Sequence, residues 1–130
     1  MRAYLATLLC AGALLLPGAS SAQNVAQSGV RANATGVLLA IPSWNADCLF
    51  GGYPRVSVTD QPGHGSVKVM QQSGLIIPAS AGMCAGKKVK GIVIYYTPKR
   101  DFRGNDQASF RVTPPAGGGA YSVTSQIIVN

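Results

Sequence analysis

Apolar and polar residues alternate along several short runs of this chain, and this period of two constrains the fold more than any other feature. Val56 and Val58 alternate with polar neighbours, as do Val67 and Val69. The same pattern recurs at 108–112 and 121–129. Successive side chains of a β-strand point to opposite faces, so each run predicts a strand with one buried face. Helical periodicity is almost absent after residue 22.

Three further segments complete the predicted strand set. The run 91–97 is apolar at both parities, which is typical of a central strand covered on both faces. Segments 36–41 and 75–77 each end before a proline, which cannot donate to the ladder. Turn signals rich in Gly, Pro, Asn and Asp lie at 60–63, 72–74, 103–106 and 114–119. About seven short strands in one small chain predict an all-β sandwich of immunoglobulin type, with a β-barrel as the open alternative.

The first 22 residues have the pattern of a secretory signal peptide. A basic start at Met1-Arg2 precedes the apolar run 3–16, and the small residues Ser20 and Ala22 form a cleavage site. The apolar run is shorter than the roughly 20 residues that span a bilayer. We therefore expect cleavage near Ala22 and a secreted or periplasmic protein without a membrane span. The predicted organisation is a leader at 1–22, a loose N-terminal segment at 23–33 and one sandwich domain at 34–130.

The cysteine pattern points to a structural cross-link. Cys10 lies in the leader, which leaves Cys48 and Cys84 as an even pair in an exported chain. In an oxidising compartment such a pair predicts a disulfide. The chain has no C-x-x-C and a single histidine, so neither a tetrahedral zinc site nor a blue-copper site can be assembled. We expect no metal and no cofactor.

Two segments resemble a known family. The turn at 61–67, Gln-Pro-Gly-His-Gly-Ser-Val, is similar to a P-x-H-G-x-V motif, and 96–106 is similar to a Y-T-P-x-x-x-F-x-G-x-D motif. Both are typical of bacterial Ig-like and cadherin-like domains of secreted proteins and adhesins. The resemblance covers roughly 58–130, and it implies a sandwich used as a spacer, stalk or binding module. Segments 42–57 and 79–90, which hold the two cysteines, lie outside it and are expected to form one elaboration.

The resemblance also implies a structural corner. Pro98 would end a strand, Phe102 would close the end of the sandwich, and Gly104 would allow a positive φ. The Asp106 carboxylate would accept backbone N–H bonds that the corner leaves unpaired. Ala108 departs from the family, because an aromatic residue is expected at its position.

Catalysis is hard to build from the available side chains. The only acids of the chain are Asp47, Asp60, Asp101 and Asp106. Three of them lie in turn contexts, where a carboxylate normally bonds the backbone. His64 lies between two glycines in a turn, which predicts an exposed turn histidine. We therefore expect no enzymatic activity and no calcium site, which needs several converging oxygen ligands.

Positive charge is concentrated in two clusters. Lys87, Lys88 and Lys90 precede the predicted central strand, whereas Lys99, Arg100 and Arg103 follow it. A strand of this length would separate the clusters by about 20 Å. Each cluster either lies in a solvated loop that prevents edge pairing or contacts a polyanion such as lipopolysaccharide or a cell-wall acid. Their separation argues against a nucleic-acid partner.

These observations predict an exported, non-enzymatic binding or adhesion-type module of the bacterial envelope or exterior. Its partner would be a protein or an anionic envelope polymer. The alternative is a structural or assembly subunit that pairs through an edge strand. A periplasmic enzyme inhibitor or a small hydrolase is the third hypothesis.

Overall fold

Within the part of the chain that the structure describes, seven strands and one short 3-10 segment make up the fold. A computed structural model describes residues 24–115 and 117–130, so the predicted leader at 1–22 lies outside the described residues. In chain order, the strands are β1 (Asn24–Val30), β2 (Gly36–Pro42), β3 (Arg55–Asp60), β4 (Gly65–Ile76), β5 (Lys88–Pro98), β6 (Gly104–Thr113) and β7 (Tyr121–Val129). The 3-10 segment Ala79–Cys84 lies between β4 and β5.

The strands form two separate sheets. One sheet has the order β1-β7-β6-β3 and the other has the order β2-β5-β4. This arrangement confirms the predicted Ig-like sandwich of seven strands over the barrel alternative. All neighbouring strands are antiparallel except β1 and β7, which run parallel with Asn24 opposite Val123 and Val30 opposite Val129.

The main core lies between the two sheets and is organised by β5. Ile92, Ile94 and Tyr96 of β5 are buried against residues of the opposite sheet, including Phe110 and Ile127. Val93, on the other face of β5, is also buried. The prediction of a central strand that is apolar at both parities is therefore confirmed. Gly91 is required in this strand, because a Cβ there would meet the Ile41 carbonyl and the Leu75 side chain.

A second, smaller core lies at one end of the sandwich. It contains Cys48, Ile77, Cys84 and Val89, and Trp44 packs against it. The main chain of Ile77 continues the pairing beyond β4, because its N–H donates to the Lys87 carbonyl at 2.9 Å. The small cluster therefore anchors the long β4–β5 hairpin to the loop that precedes β3.

The structure differs from the sequence expectations at two places. Residues 24–30, expected within a loose segment, form β1, since its backbone groups pair with β7 along the whole length of the strand. The predicted turn at 72–74 is instead part of the continuous strand β4. The register shifts between Gln72 and Leu75, and Gly74 has φ 73°. A glycine in this conformation forms a bulge within the strand rather than reversing the chain.

Small residues occupy the core position where the family pattern has an aromatic one. Ala108 is fully buried and lies opposite Ser125 on the neighbouring strand. Ser125 is buried as well, and its hydroxyl has no hydrogen-bond partner among the residues that the structure describes. The aromatic volume missing at Ala108 is therefore not supplied by its cross-strand neighbour.

Candidate functional site

The predicted disulfide is present and organises one end of the sandwich. Cys48 and Cys84 are bonded, with their Cα atoms 5.2 Å apart. Trp44 packs against the cluster that contains both cysteines, and its backbone forms an isolated antiparallel β-bridge with Phe50. The disulfide and the smaller core therefore join segments 42–57 and 79–90 at this end. We call this part of the molecule the disulfide end.

Large apolar side chains are exposed at the disulfide end. Leu49 follows Cys48, and Met83 precedes Cys84, so the two residues flank the two ends of the bond. Both are exposed, as are Ile76 at the end of β4 and Phe50. Tyr53 contacts the Phe50 ring edge-on, with 4.7 Å between the ring centroids.

Three exposed lysines surround these apolar side chains. We call Lys87, Lys88 and Lys90 the lysine triad. The Lys87 N–H donates to the Cys84 carbonyl at 3.3 Å, and Lys88 lies opposite Ile76 in the β4–β5 ladder. The Lys90 ammonium lies 5.9 Å from the centre of the Phe50 ring, within cation–π range. Lys88 and Lys90 belong to β5 itself, so the expectation that they precede the central strand is wrong: β5 begins at Lys88.

The second basic cluster lies at the opposite end of β5. Lys99 and Arg100 directly follow the strand, and Arg103 precedes β6. At about 3.3 Å per residue, Lys88 and Lys99 are roughly 35 Å apart, which is further than the sequence estimate. The exposed pair Arg100–Asp101, at 3.9 Å, is the only ion pair among residues 24–115 and 117–130. The two clusters therefore cannot form one continuous patch.

Acidic residues are distributed unequally between the two ends. Asp47, next to Cys48, is the acid of the disulfide end. Asp101 and Asp106 lie at the opposite end, and Asp60 ends β3 on the side that leads into the His64 turn. Asp101 also exchanges hydrogen bonds with Asn33, whose side chain donates to the Asp101 carboxylate and accepts from its N–H. Positive charge is therefore least compensated around the lysine triad.

The predicted corner is built around the Asp106 carboxylate. One oxygen accepts the N–H groups of Gly63 and Gln107, at 2.9 and 2.8 Å. The other accepts the His64 N–H at 2.9 Å and the Tyr96 hydroxyl at 2.7 Å. Asp106 therefore has the backbone-acceptor role expected of it. Two of its partners come from a turn far away in the sequence, and a third is a buried side chain of β5.

These hydrogen bonds set the ionisation of the corner. Partial burial alone raises the pKa of Asp106, but the bonds from Tyr96, Gln107, His64 and Gly63 outweigh burial and lower the pKa below its usual value. Burial, together with the Asp106 carboxylate, raises the pKa of Tyr96 above its usual value. The carboxylate is thus held as an ionised structural acceptor.

The remaining corner residues have the expected placements. Pro98 is buried at the last position of β5, and Gly104 has φ 131°. Phe102 packs against the main core and stacks on the exposed His64 ring, with 4.3 Å between ring centroids and 6° between planes. Asp106 thus contacts the backbone of His64, whereas the His64 imidazole faces Phe102. The Asp106 and His64 side chains therefore both make structural contacts in the folded protein.

Within the described part of the chain, no three His, Cys, Asp or Glu side chains converge as a metal site would require. No helix in that part is long and apolar enough to cross a membrane. No family model, curated protein or solved structure matches this chain.

Proposed function

We propose that the protein is an exported, non-enzymatic binding domain of the cell envelope, and that its disulfide end binds an anionic ligand of the envelope, such as an anionic polymer. The observation that carries this proposal is the lysine triad. Its three ammonium groups are exposed at one end, and none forms an ion pair with a described residue. Uncompensated cations are attracted to phosphate or carboxylate groups, with an affinity that falls as salt rises. A partner protein with an acidic face would use the same chemistry.

The disulfide supports this assignment by ordering the basic surface. Lys87 is bonded through its backbone to Cys84 and Ile77, both of which lie in the smaller core. Lys90 is placed beside the Phe50 ring, and the Ser43 N–H donates to the Lys90 carbonyl at 3.1 Å. A site whose backbone is fixed before binding loses less conformational entropy when the ligand arrives.

The corner geometry favours binding over hydrolysis. A general acid–base pair needs titratable groups that face a common substrate position. Here the Asp106 carboxylate already accepts four hydrogen bonds from the protein, and the nearby histidine ring is stacked on Phe102. The small-hydrolase hypothesis therefore has less support than a binding role.

We expect the wild-type protein to be retained on a heparin or lipopolysaccharide matrix and to elute as salt is raised. The variant K87E/K88E/K90E should pass through, because charge reversal removes attraction and adds repulsion. The matched control K99E/R100E/R103E changes the same number of charges at the opposite end and should still be retained. Equal retention of the lysine-triad variant and the wild type, with no effect of salt, would contradict the proposal.

A second candidate function is assembly through the edge of β4. This strand is 12 residues long and lies at the edge of its sheet. Val69 and Met70, near its middle, are exposed, and Lys68 is its only charged residue. Long apolar edges with few charges can pair with another strand, although Lys68 and the bulge at Gly74 oppose this.

Assembly through β4 predicts an average mass, measured by light scattering, that increases with protein concentration. Met70→Lys should abolish that increase, because a charge on an edge strand disfavours pairing. Val37→Lys changes an exposed side chain of the other edge strand of the same sheet and serves as the control. A strict monomer at high concentration would rule out the assembly function.

A further inference from the structure

We infer that the ligand of the disulfide end is the surface of an anionic lipid bilayer. In this arrangement Leu49 and Met83 enter the boundary between headgroups and acyl chains, and the lysine triad contacts the lipid phosphates. The inference rests on the proposed function, because it specifies the ligand class of the same site.

The first observation is the extent to which apolar side chains protrude around the disulfide. Met83 is 87% exposed, Leu49 is 63% exposed and Ile76 is 61% exposed. Removing such side chains from water is favourable, roughly in proportion to the apolar area buried. A soluble polyanion would contact the lysines but would leave this apolar surface in water. A lipid surface accommodates both.

The second observation is that apolar and basic side chains are neighbours at the disulfide end. Lys88 and Ile76 are direct cross-strand neighbours, so their side chains lie on the same face of the β4–β5 hairpin. Lys90 lies beside Phe50, and Lys87 follows the segment that carries Met83. Interfacial membrane sites combine apolar side chains that enter the bilayer with lysines that attract anionic headgroups.

The third observation is that the disulfide fixes the apolar side chains relative to the lysines. Leu49 and Met83 lie on different loops, and the Cys48–Cys84 bond joins those loops directly. Asn45 further orders the first loop, since its side-chain oxygen accepts the Leu49 N–H at 3.1 Å. The disulfide and this hydrogen bond therefore reduce the ordering cost of bringing both loops to one surface.

The opposite end of the molecule provides an internal contrast. Lys99, Arg100 and Arg103 are also exposed, but the apolar residue among them, Phe102, packs against the core and His64. Asp101 further reduces the net charge there through its contact with Arg100. The exposed apolar side chains toward that end, Val37 and Ile128, protrude less than Met83, Leu49 and Ile76, so that end should bind lipid more weakly.

Binding of the oxidised protein to vesicles, measured by co-sedimentation, tests the inference. The probes are vesicles of phosphatidylcholine alone and vesicles in which about one-third is phosphatidylglycerol. We expect binding to the anionic vesicles only. Leu49→Ser combined with Met83→Ser should weaken this binding at least about tenfold while leaving retention on heparin unchanged. Both side chains are exposed, so thermal unfolding should change little.

Two control variants complete the design. Ile128→Ser removes an exposed apolar side chain from β7, outside the disulfide end, and should bind anionic vesicles like the wild type. K87E/K88E/K90E should lose both vesicle binding and heparin retention. These paired readouts separate the lipid inference from the more general anion-binding function.

Each remaining outcome would contradict the lipid inference, the proposed anion-binding function, or both. Vesicle binding unaffected by the Leu49 and Met83 substitutions, or heparin retention without vesicle binding, would overturn the lipid inference alone. A wild-type protein that binds neither probe would overturn both. A dimer that Leu49→Ser and Met83→Ser convert to a monomer, with no vesicle binding, would show that a second copy covers this surface.

Discussion

Replacing Asp106 with asparagine should lower the free energy of unfolding by about 2–3 kcal/mol at neutral pH. The carboxylate joins three parts of the chain, namely the turn at Gly63 and His64, the hydroxyl of Tyr96 and its own strand. An asparagine presents one N–H₂ group to donors that need an acceptor, and it removes the charge that strengthens the bonds. The loss should be smaller than the sum of four full hydrogen bonds because the site is partly solvated.

The loss of stability in Asp106→Asn should be largest at neutral pH and should decrease in acid. Because hydrogen bonding lowers the pKa of Asp106 in the folded protein, the carboxylate contributes stability above its unfolded pKa, near 4. That contribution is lost as pH falls from about 5 through 4 toward the folded pKa. Urea unfolding of wild type and Asp106→Asn should therefore differ most at neutral pH and converge in acid.

Two variants control for the general effect of the substitutions. Tyr96→Phe removes only the hydroxyl donor and should cost about 1 kcal/mol. Asp47→Asn removes an exposed carboxylate and should change stability little. If Asp106→Asn unfolds at the wild-type urea concentration at every pH, the corner does not stabilise the fold as described.

Removing the disulfide should have a somewhat larger effect. In the chain-entropy model, closing a loop with a sequence separation of 36 residues stabilises a protein by about 3–4 kcal/mol. C48A/C84A should lose about this amount in urea unfolding, and the wild type with reductant should behave similarly. The smaller core should open first, because Cys48 and Cys84 make up half of its buried members.

The disulfide prediction has a direct chemical check. Mass spectrometry of the protein isolated without reductant should show the mass of the oxidised form. Two free thiols in that sample, or a reductant effect below about 1 kcal/mol, would contradict the stabilising role.

Sequence reasoning succeeded where a strong local pattern coincided with the fold. The two-residue alternation at 121–129 identified β7, whose Val123, Ser125, Ile127 and Val129 are buried. The apolar run of β5 identified the central strand, and the cysteine count identified the cross-link. In each case the property that determines the structure, namely burial of apolar side chains or oxidation of a cysteine pair, can be read from the residue types themselves.

Sequence reasoning failed where long-range pairing decides the outcome. β1 is held by parallel pairing with β7. The largely polar sequence of β1 does not predict this pairing. The turn signal at 72–74 is overridden because β5 continues beside β4 on both sides of Gly74. Likewise, Asp106 could be identified as a backbone acceptor, but its partners at Gly63 and His64 could not.

The candidate site was only half predictable. The lysine triad and the cysteines were visible in the sequence, but the exposed apolar side chains beside them were not. Leu49 and Met83 look like ordinary core residues until the disulfide places them at the surface. The combination of apolar and basic groups that suggests a lipid surface therefore required the structure.

The central claim is that the lysine triad binds an anionic ligand, and the salt dependence of affinity tests this most directly. The logarithm of the association constant for heparin should fall linearly with the logarithm of salt concentration. In K87Q/K88Q/K90Q, the slope should become shallower by about 2 to 3, because each lysine that contacts an anionic group contributes a little under one unit. K99Q/R100Q/R103Q should keep the wild-type slope. A wild-type slope in the lysine-triad variant would contradict the account.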